Sequence, residues 1–131
     1  VNPGLRFYLH CAAPGKAMLA ALPFDEREIF LNTMDFPRFN DRTITSQQDF
    51  SEELNKSREL GYSVDHAEEI KGQHCIGAAV LGRRGYPVGS IWITGPSVRI
   101  QEKDFQRIGT QIRDHAEEIS HALGYVSFKV A

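Results

Sequence analysis

Two strand-like runs joined by a glycine-flanked turn constrain this chain more than any other feature. The runs are 74–81 and 87–94, and the segment between them opens with Gly82-Arg83-Arg84-Gly85. Short connections that contain glycine join neighbouring antiparallel strands. The pattern therefore predicts a β-hairpin, and the run at 61–66 adds a third strand.

The two faces of this hairpin have different chemistry, because successive side chains of a strand point to opposite faces. One face is apolar and contains Ile76, Ala78, Val80, Ile91 and Ile93. The other face combines small residues, two hydroxyls and one large ring, and contains Cys75, Gly77, Ala79, Ser90, Trp92 and Thr94. We expect the apolar face to pack against a helix and the mixed face to border a small-molecule cavity.

A turn that closes symmetrically places Cys75 opposite Trp92. By the same register, Gly77 lies opposite Ser90 and forms the floor of the cavity. The alternative is that Gly77 and its small neighbours mark close packing against another element. Sequence periodicity does not separate these two interpretations.

Four helices are predicted from apolar spacing and capping residues. The segment 16–22 follows Pro14, which suits a first helical turn, and its Lys16 is expected to be solvated or to anchor backbone carbonyls. Asp25 is predicted to cap a second helix, and a third runs from a Ser46 cap to Gly61. The strongest helical pattern lies within 102–123, at Phe105, Ile108, Ile112, Ala116, Ile119 and Leu123. Short flanking segments are predicted as a strand at 5–10 and a loose tail at 126–131.

Composition limits the function classes that are open to the chain. Its 131 residues, 41% hydrophobic and 24% charged, suffice for one domain, predicted to span 1–131. A net charge of −2 and a pI near 6.2 leave no broad basic surface for nucleic acid. The two cysteines have no CxxC spacing, and no apolar run reaches membrane length. We therefore expect a cytoplasmic protein with no membrane partner.

Five segments occur in an order and at a spacing typical of a known family. They are GKAMLAAL at 15–22, RTIT at 42–45, ELGYSVD at 59–65, HCIGAAV at 74–80 and ITGP at 93–96. Together they resemble the effector-binding domain of the IclR family of bacterial transcription regulators. The resemblance implies a GAF-like α+β fold with an antiparallel sheet, a small organic effector, and assembly as homodimers or homotetramers. It also implies that the first part of the domain and a winged helix-turn-helix domain precede residue 1, so that DNA is bound only through that absent domain.

The same resemblance implies which residues contact the effector. They are Ala13, Pro14, Gly15 and Ala17 around the helix start, and Asp65, Cys75, Trp92 and Thr94 on the sheet. Free amides at a helix start favour a carboxylate. Pro14 lacks an N–H and Trp92 is larger than a hydroxyl residue, which argues against a ligand as small as glyoxylate. We therefore predict an aromatic acid, a sugar acid or a keto acid as the effector.

Two other function classes remain as alternatives. Cys75 is a possible nucleophile, but the adjacent His74 points to the opposite face and no catalytic motif accompanies it, so we predict that the chain is not an enzyme. A pure oligomerisation module without a ligand is the other alternative. No cofactor or metal is predicted, because the candidate ligands form adjacent pairs without the spacing of a zinc site: His10-Cys11, Asp65-His66 and His74-Cys75.

Overall fold

The fold is a three-stranded antiparallel sheet with helices on both faces. A computed structural model describes residues 8–126. The strands are β1 (Ser63–His66), β2 (Gln73–Leu81) and β3 (Pro87–Pro96), in the order β1-β2-β3. The helices are α1 (Ala13–Ala21), α2 (Phe24–Thr33), α3 (Gln47–Leu60) and α4 (Phe105–Ala122), the last preceded by a short 3-10 turn, Glu102–Asp104. This confirms the α+β class. Residues 8–10 of the strand predicted at 5–10 form a turn and not a strand, while 5–7 and the tail from 127 onward lie outside the described residues.

The hairpin has the predicted faces but not the predicted register. Cys75 pairs with Thr94, where symmetric closure of the turn had suggested Trp92. The displacement of two residues has two parts: Leu81 pairs with Pro87 in place of Tyr86 at the turn, and the irregularity between Val80 and Leu81 adds one more residue. A displacement by an even number keeps every side chain on its own face. The pairs on the mixed face are Cys75 with Thr94, Gly77 with Trp92, and Ala79 with Ser90.

α4 covers the apolar face of the sheet. Its Ile112 and Ala116 join the core cluster that contains Ile76, Ala78, Val80 and Tyr62. Ile119, predicted to face the sheet, is 40% exposed, and Ser120 is buried in its place. The Ser120 hydroxyl accepts the Leu81 N–H at 2.9 Å and donates to the Ala116 carbonyl at 2.7 Å. The spacing of apolar residues does not predict a buried serine with a hydrogen-bonding role.

β3 is an edge strand within the described residues. It pairs with β2 on one side, and no described strand pairs with its other side. Ile91 packs against the core as predicted, but Ile93 is 41% exposed. Trp92 and Val88 are also exposed on this strand. The facing assigned to β3 is correct, and its partial exposure follows from its position at the edge.

Capping residues predicted the ends of α3 but not the start of α2. The Ser46 side chain accepts the Asp49 N–H at 3.1 Å, and Gly61 ends α3 with a φ of 79° in the left-handed region. Asp25 is not a cap. α2 begins at Phe24 after Pro23 and has no side-chain cap, because the helix starts two residues earlier than the Asp25 pattern implied.

Candidate functional site

The mixed face of the sheet carries a row of polar side chains across all three strands. Asp65 pairs with Cys75, and Cys75 pairs with Thr94 on the other side. We call these three residues the Cys75 row. The next row along the sheet consists of Ser63, Gly77 and Trp92. The register thus brings four of the predicted effector contacts next to one another.

The first turn of α1 lies directly on Gly77. A Cβ atom at this position would come within 3.3 Å of the Ala13 carbonyl carbon and the Pro14 nitrogen. It would also lie 3.2 Å from the Cβ of Trp92. Gly77 is therefore a close-packing position, and the prediction that it forms the floor of an open cavity is wrong. The missing side chain makes room for the helix backbone.

The helix start offers fewer free amides than the sequence suggested. The Lys16 N–H already donates to the Ala12 carbonyl at 2.9 Å as the first bond of the helix, and Pro14 has no N–H. Ala13 and Gly15 have the other N–H groups of the first turn, and the Ala13 N–H already interacts with the Cys75 thiol. Ala17 lies one turn further on and borders a different cavity. The group expected at 13–17 is thus divided between two places.

The Cys75 thiol is buried and remains protonated at neutral pH. Burial, followed by the charge of Asp65, raises the pKa of Cys75 to about 12. The nearest histidine in sequence, His74, lies on the opposite face with its Nδ1 2.6 Å from the Ile100 carbonyl oxygen. Because the thiolate is the nucleophilic form, the arrangement does not activate Cys75.

Asp65 is a buried carboxyl that titrates close to neutral pH. Burial raises the pKa of Asp65 to about 6, and repulsion from Glu68 adds to the shift. The Glu68 backbone N–H donates to Asp65 Oδ1 at 2.9 Å, and the Lys16 charge also opposes the shift. This side chain is thus able to accept or donate a hydrogen bond to a ligand, depending on pH.

Lys16 is fully buried and ties α1 to the loop after β1. Its Nζ donates to both Glu68 carboxylate oxygens at 2.7 and 2.8 Å and to the Val64 carbonyl oxygen at 2.8 Å. Glu53 lies 3.5 Å away. The expectation that Lys16 anchors a carbonyl is confirmed, whereas the solvated alternative is wrong. The pairing with Glu68 was missed, because no local pattern links residues 52 positions apart.

The Cys75 row reaches solvent only at the β3 edge. Asp65 and Cys75 are buried, while Thr94 is exposed and Trp92 is 51% exposed. The Gln73 side-chain amide donates to the Thr94 hydroxyl oxygen at 2.7 Å. A ligand that approaches from this edge meets Trp92 and Thr94 first and the thiol behind them.

Neither metal ligands nor a membrane helix is found in the part of the chain that the structure describes. Among residues 8–126, no three side chains of His, Cys, Asp or Glu lie close enough to hold a metal ion. None of the helices in that range is long and apolar enough to span a membrane.

Comparisons with known proteins agree with this geometry. A family described as "Bacterial transcriptional regulator IclR C-terminal" matches residues 2–121. The HTH-type transcriptional repressor AllR of Escherichia coli K12 is 36% identical over 121 residues, which make up 92% of this chain and 45% of the repressor. The Thermotoga maritima IclR structure superposes with a TM-score of 0.86 at 33% identity, over 93% of this chain and 49% of that one. For the C-terminal domain of E. coli KdgR the TM-score is 0.83 at 33% identity, over 93% and 74% of the two chains. The chain spans about half the length of the first two relatives.

Proposed function

Because this chain belongs to the IclR family of bacterial transcriptional regulators, as a C-terminal effector-binding domain, we propose that it senses a small organic acid for a longer DNA-binding protein. The effector binds one arrangement of the subunits better than another, and this difference in affinity sets the DNA-binding state. Contact with DNA is made by a winged helix-turn-helix domain outside this chain.

The observation that carries the proposal is the convergence of polar groups on the Cys75 row. The row supplies a carboxyl, a thiol and a hydroxyl on neighbouring strands. The first turn of α1 adds the Gly15 amide, which favours the effector carboxylate, beside the Ala13 amide that interacts with the Cys75 thiol. The body of the effector lies against Trp92, and its hydroxyls meet Thr94 or Asp65. An aromatic acid, a sugar acid or a keto acid has the groups that this arrangement requires.

Calorimetry on the full chain tests the binding mode, after thermal-shift screening of those acids has identified an effector. Thr94→Val keeps the shape of the side chain but removes its hydroxyl, so effector binding should weaken by about 1–3 kcal/mol. Thr110→Val, at an exposed position of α4, is the matched control and should bind as the wild type does. If Thr94→Val and Trp92→Ala both bind the effector with unchanged affinity, the effector site does not include these residues.

We propose no catalytic role for the chain. The protonated Cys75 thiol supports this conclusion, and the relatives it resembles are transcription regulators. Turnover of a candidate substrate that disappears in Cys75→Ser would contradict it. The outer edge of β3, with which no described strand pairs, supports assembly as a homodimer or homotetramer. A monomer in light scattering at high concentration would contradict that assembly.

A further inference from the structure

A cavity lies at the end of the sheet opposite the Cys75 row. β1 pairs with β2 only as far as Ser63 and Gly77, so the last residues of β2 extend beyond it. The space beyond β1 measures about 670 Å³ and is bordered by α1, α3 and α4. We call it the β1-end cavity. Its α1 wall consists of the small side chains Ala17, Ala20 and Ala21. The volume falls within the range of small-molecule sites, which is about 300–1,000 Å³.

An unpartnered hydroxyl lines this cavity. Ser63 is 1% exposed, and its Oγ finds no hydrogen-bond partner among the described residues. Leaving a buried hydroxyl unpaired costs about 1–3 kcal/mol, so such groups in folded proteins call for an explanation. A ligand group that forms a hydrogen bond with the Ser63 hydroxyl would remove this free-energy cost.

The charged residues of the lining favour an anion. The lining contains two guanidinium groups, Arg58 and Arg113, and one carboxylate, Glu117. The only described hydrogen bond of the Arg58 guanidinium is a long one, 3.5 Å to the Leu22 carbonyl oxygen. Arg113 contacts Asp114 at the surface, at 3.2 Å. Guanidinium groups with free N–H donors are well suited to bind carboxylates.

We propose that the β1-end cavity is a second small-molecule site, which binds an organic anion. The carboxylate of the ligand binds Arg58 and Arg113. A second polar group of the ligand accepts a hydrogen bond from the Ser63 hydroxyl. The alanine wall of α1 leaves room for an apolar body between these two ends. This site is distinct from the proposed effector site but adjoins it: the two share α1, and Ser63 lies in the same row of the sheet as Gly77 and Trp92.

Amide chemical shifts of the full chain, recorded by NMR during titration with benzoate and with succinate, test the proposal. At least one of these carboxylates should cause saturable shifts at Gly61, Ser63 and Ala79. The expected affinity is about 1 mM or better. If neither probe moves these amides at concentrations up to about 10 mM, the proposal is wrong.

Two substitutions with matched controls identify the groups that bind. Ser63→Ala should weaken binding about fivefold to tenfold without lowering the melting temperature, because the lost hydroxyl has no partner in the described part of the protein. Ser90→Ala, on the same face of the sheet but outside the cavity, should leave binding unchanged. If Ser63→Ala binds as tightly as the wild type, or melts at a clearly lower temperature, the role given to Ser63 is wrong.

The charge requirement is tested on α4. Arg113→Gln should weaken binding at least fivefold, whereas Arg107→Gln, exposed on the same helix, should not. Equal losses in both variants would mean that only the general charge of the chain matters, and would overturn the site. Thr94→Val should leave this binding unchanged, so failure of this proposal and failure of the effector proposal are distinguishable.

Discussion

Replacing Asp65 with asparagine should change how the stability of the domain depends on pH. The ordinary pKa of this carboxyl is 3.8. Burial is the main reason why the pKa of Asp65 is raised to about 6 in the native protein. The native state therefore holds this proton more tightly than the unfolded state does. The stabilisation is fully present below about pH 4 and is lost as the pH rises through about 6.

The size of the effect follows from the shift. One pKa unit corresponds to about 1.4 kcal/mol, so a shift of about two units makes the charged form about 3 kcal/mol less favourable in the native state. The asparagine side chain would keep an oxygen to accept the Glu68 N–H but would carry no charge. We expect Asp65→Asn to be about 1–3 kcal/mol more stable than the wild type at pH 8 and about equal to it at pH 4.

Urea unfolding of both proteins from about pH 4 to pH 8 measures this difference directly. Asp41→Asn is the matched control, because the Asp41 side chain is fully exposed, and it should show no such pH dependence. A stability difference for Asp65→Asn that stays constant with pH would refute the reasoning. If Asp65→Asn is less stable than the wild type at pH 8, the attraction of Lys16 for the Asp65 carboxylate outweighs the cost of burying that charge.

Two further predictions concern the packing of the helices. Lys16→Met should lower the free energy of unfolding by about 3–5 kcal/mol, because it leaves Glu68 as an unpaired buried carboxylate. Adding Glu68→Gln should recover most of that loss, and equal urea midpoints for the single and double variants would contradict the pairing. Gly109→Ala should lower stability by about 1–3 kcal/mol, because the new methyl group would overlap the Tyr62 ring. Gly89→Ala, where a Cβ meets no atom within 4 Å, is the control and should change the melting temperature little.

Features that depend only on residues close together in the sequence could be predicted. The α3 caps follow from local backbone geometry, and the two faces of the hairpin follow from the alternation of side chains along a strand. The register could not be predicted, because the irregularity at Val80 and Leu81 has no signature in residue type. Gly77 was ambiguous for a related reason. A glycine on a strand face is equally consistent with a cavity and with close packing, and only the position of α1 decides between them.

The candidate site could be predicted only where two arguments agreed: the resemblance to the family and the alternation of side chains along the strands. Cys75, Trp92 and Thr94 share one face as expected, and pairing brings Asp65 beside Cys75. The β1-end cavity could not be anticipated, because it exists only where β1 stops short of the end of β2. Ser63 gave no signal either, since a strand serine is ordinary until its burial and its lack of a described partner are known.

α1 is the element that the two proposed sites share, and Lys16 limits how it responds to either ligand. The first turn of α1 meets the Cys75 row and its alanine wall lines the β1-end cavity. Moving α1 away from β1 would break a fully buried ion pair, which costs several kcal/mol. A ligand shifts an equilibrium only by the difference in its affinity for the two states. At the proposed effector site we therefore expect a ligand to act through the exposed residues of β3 and not through a movement of α1. Trp92 lies half exposed on this edge strand.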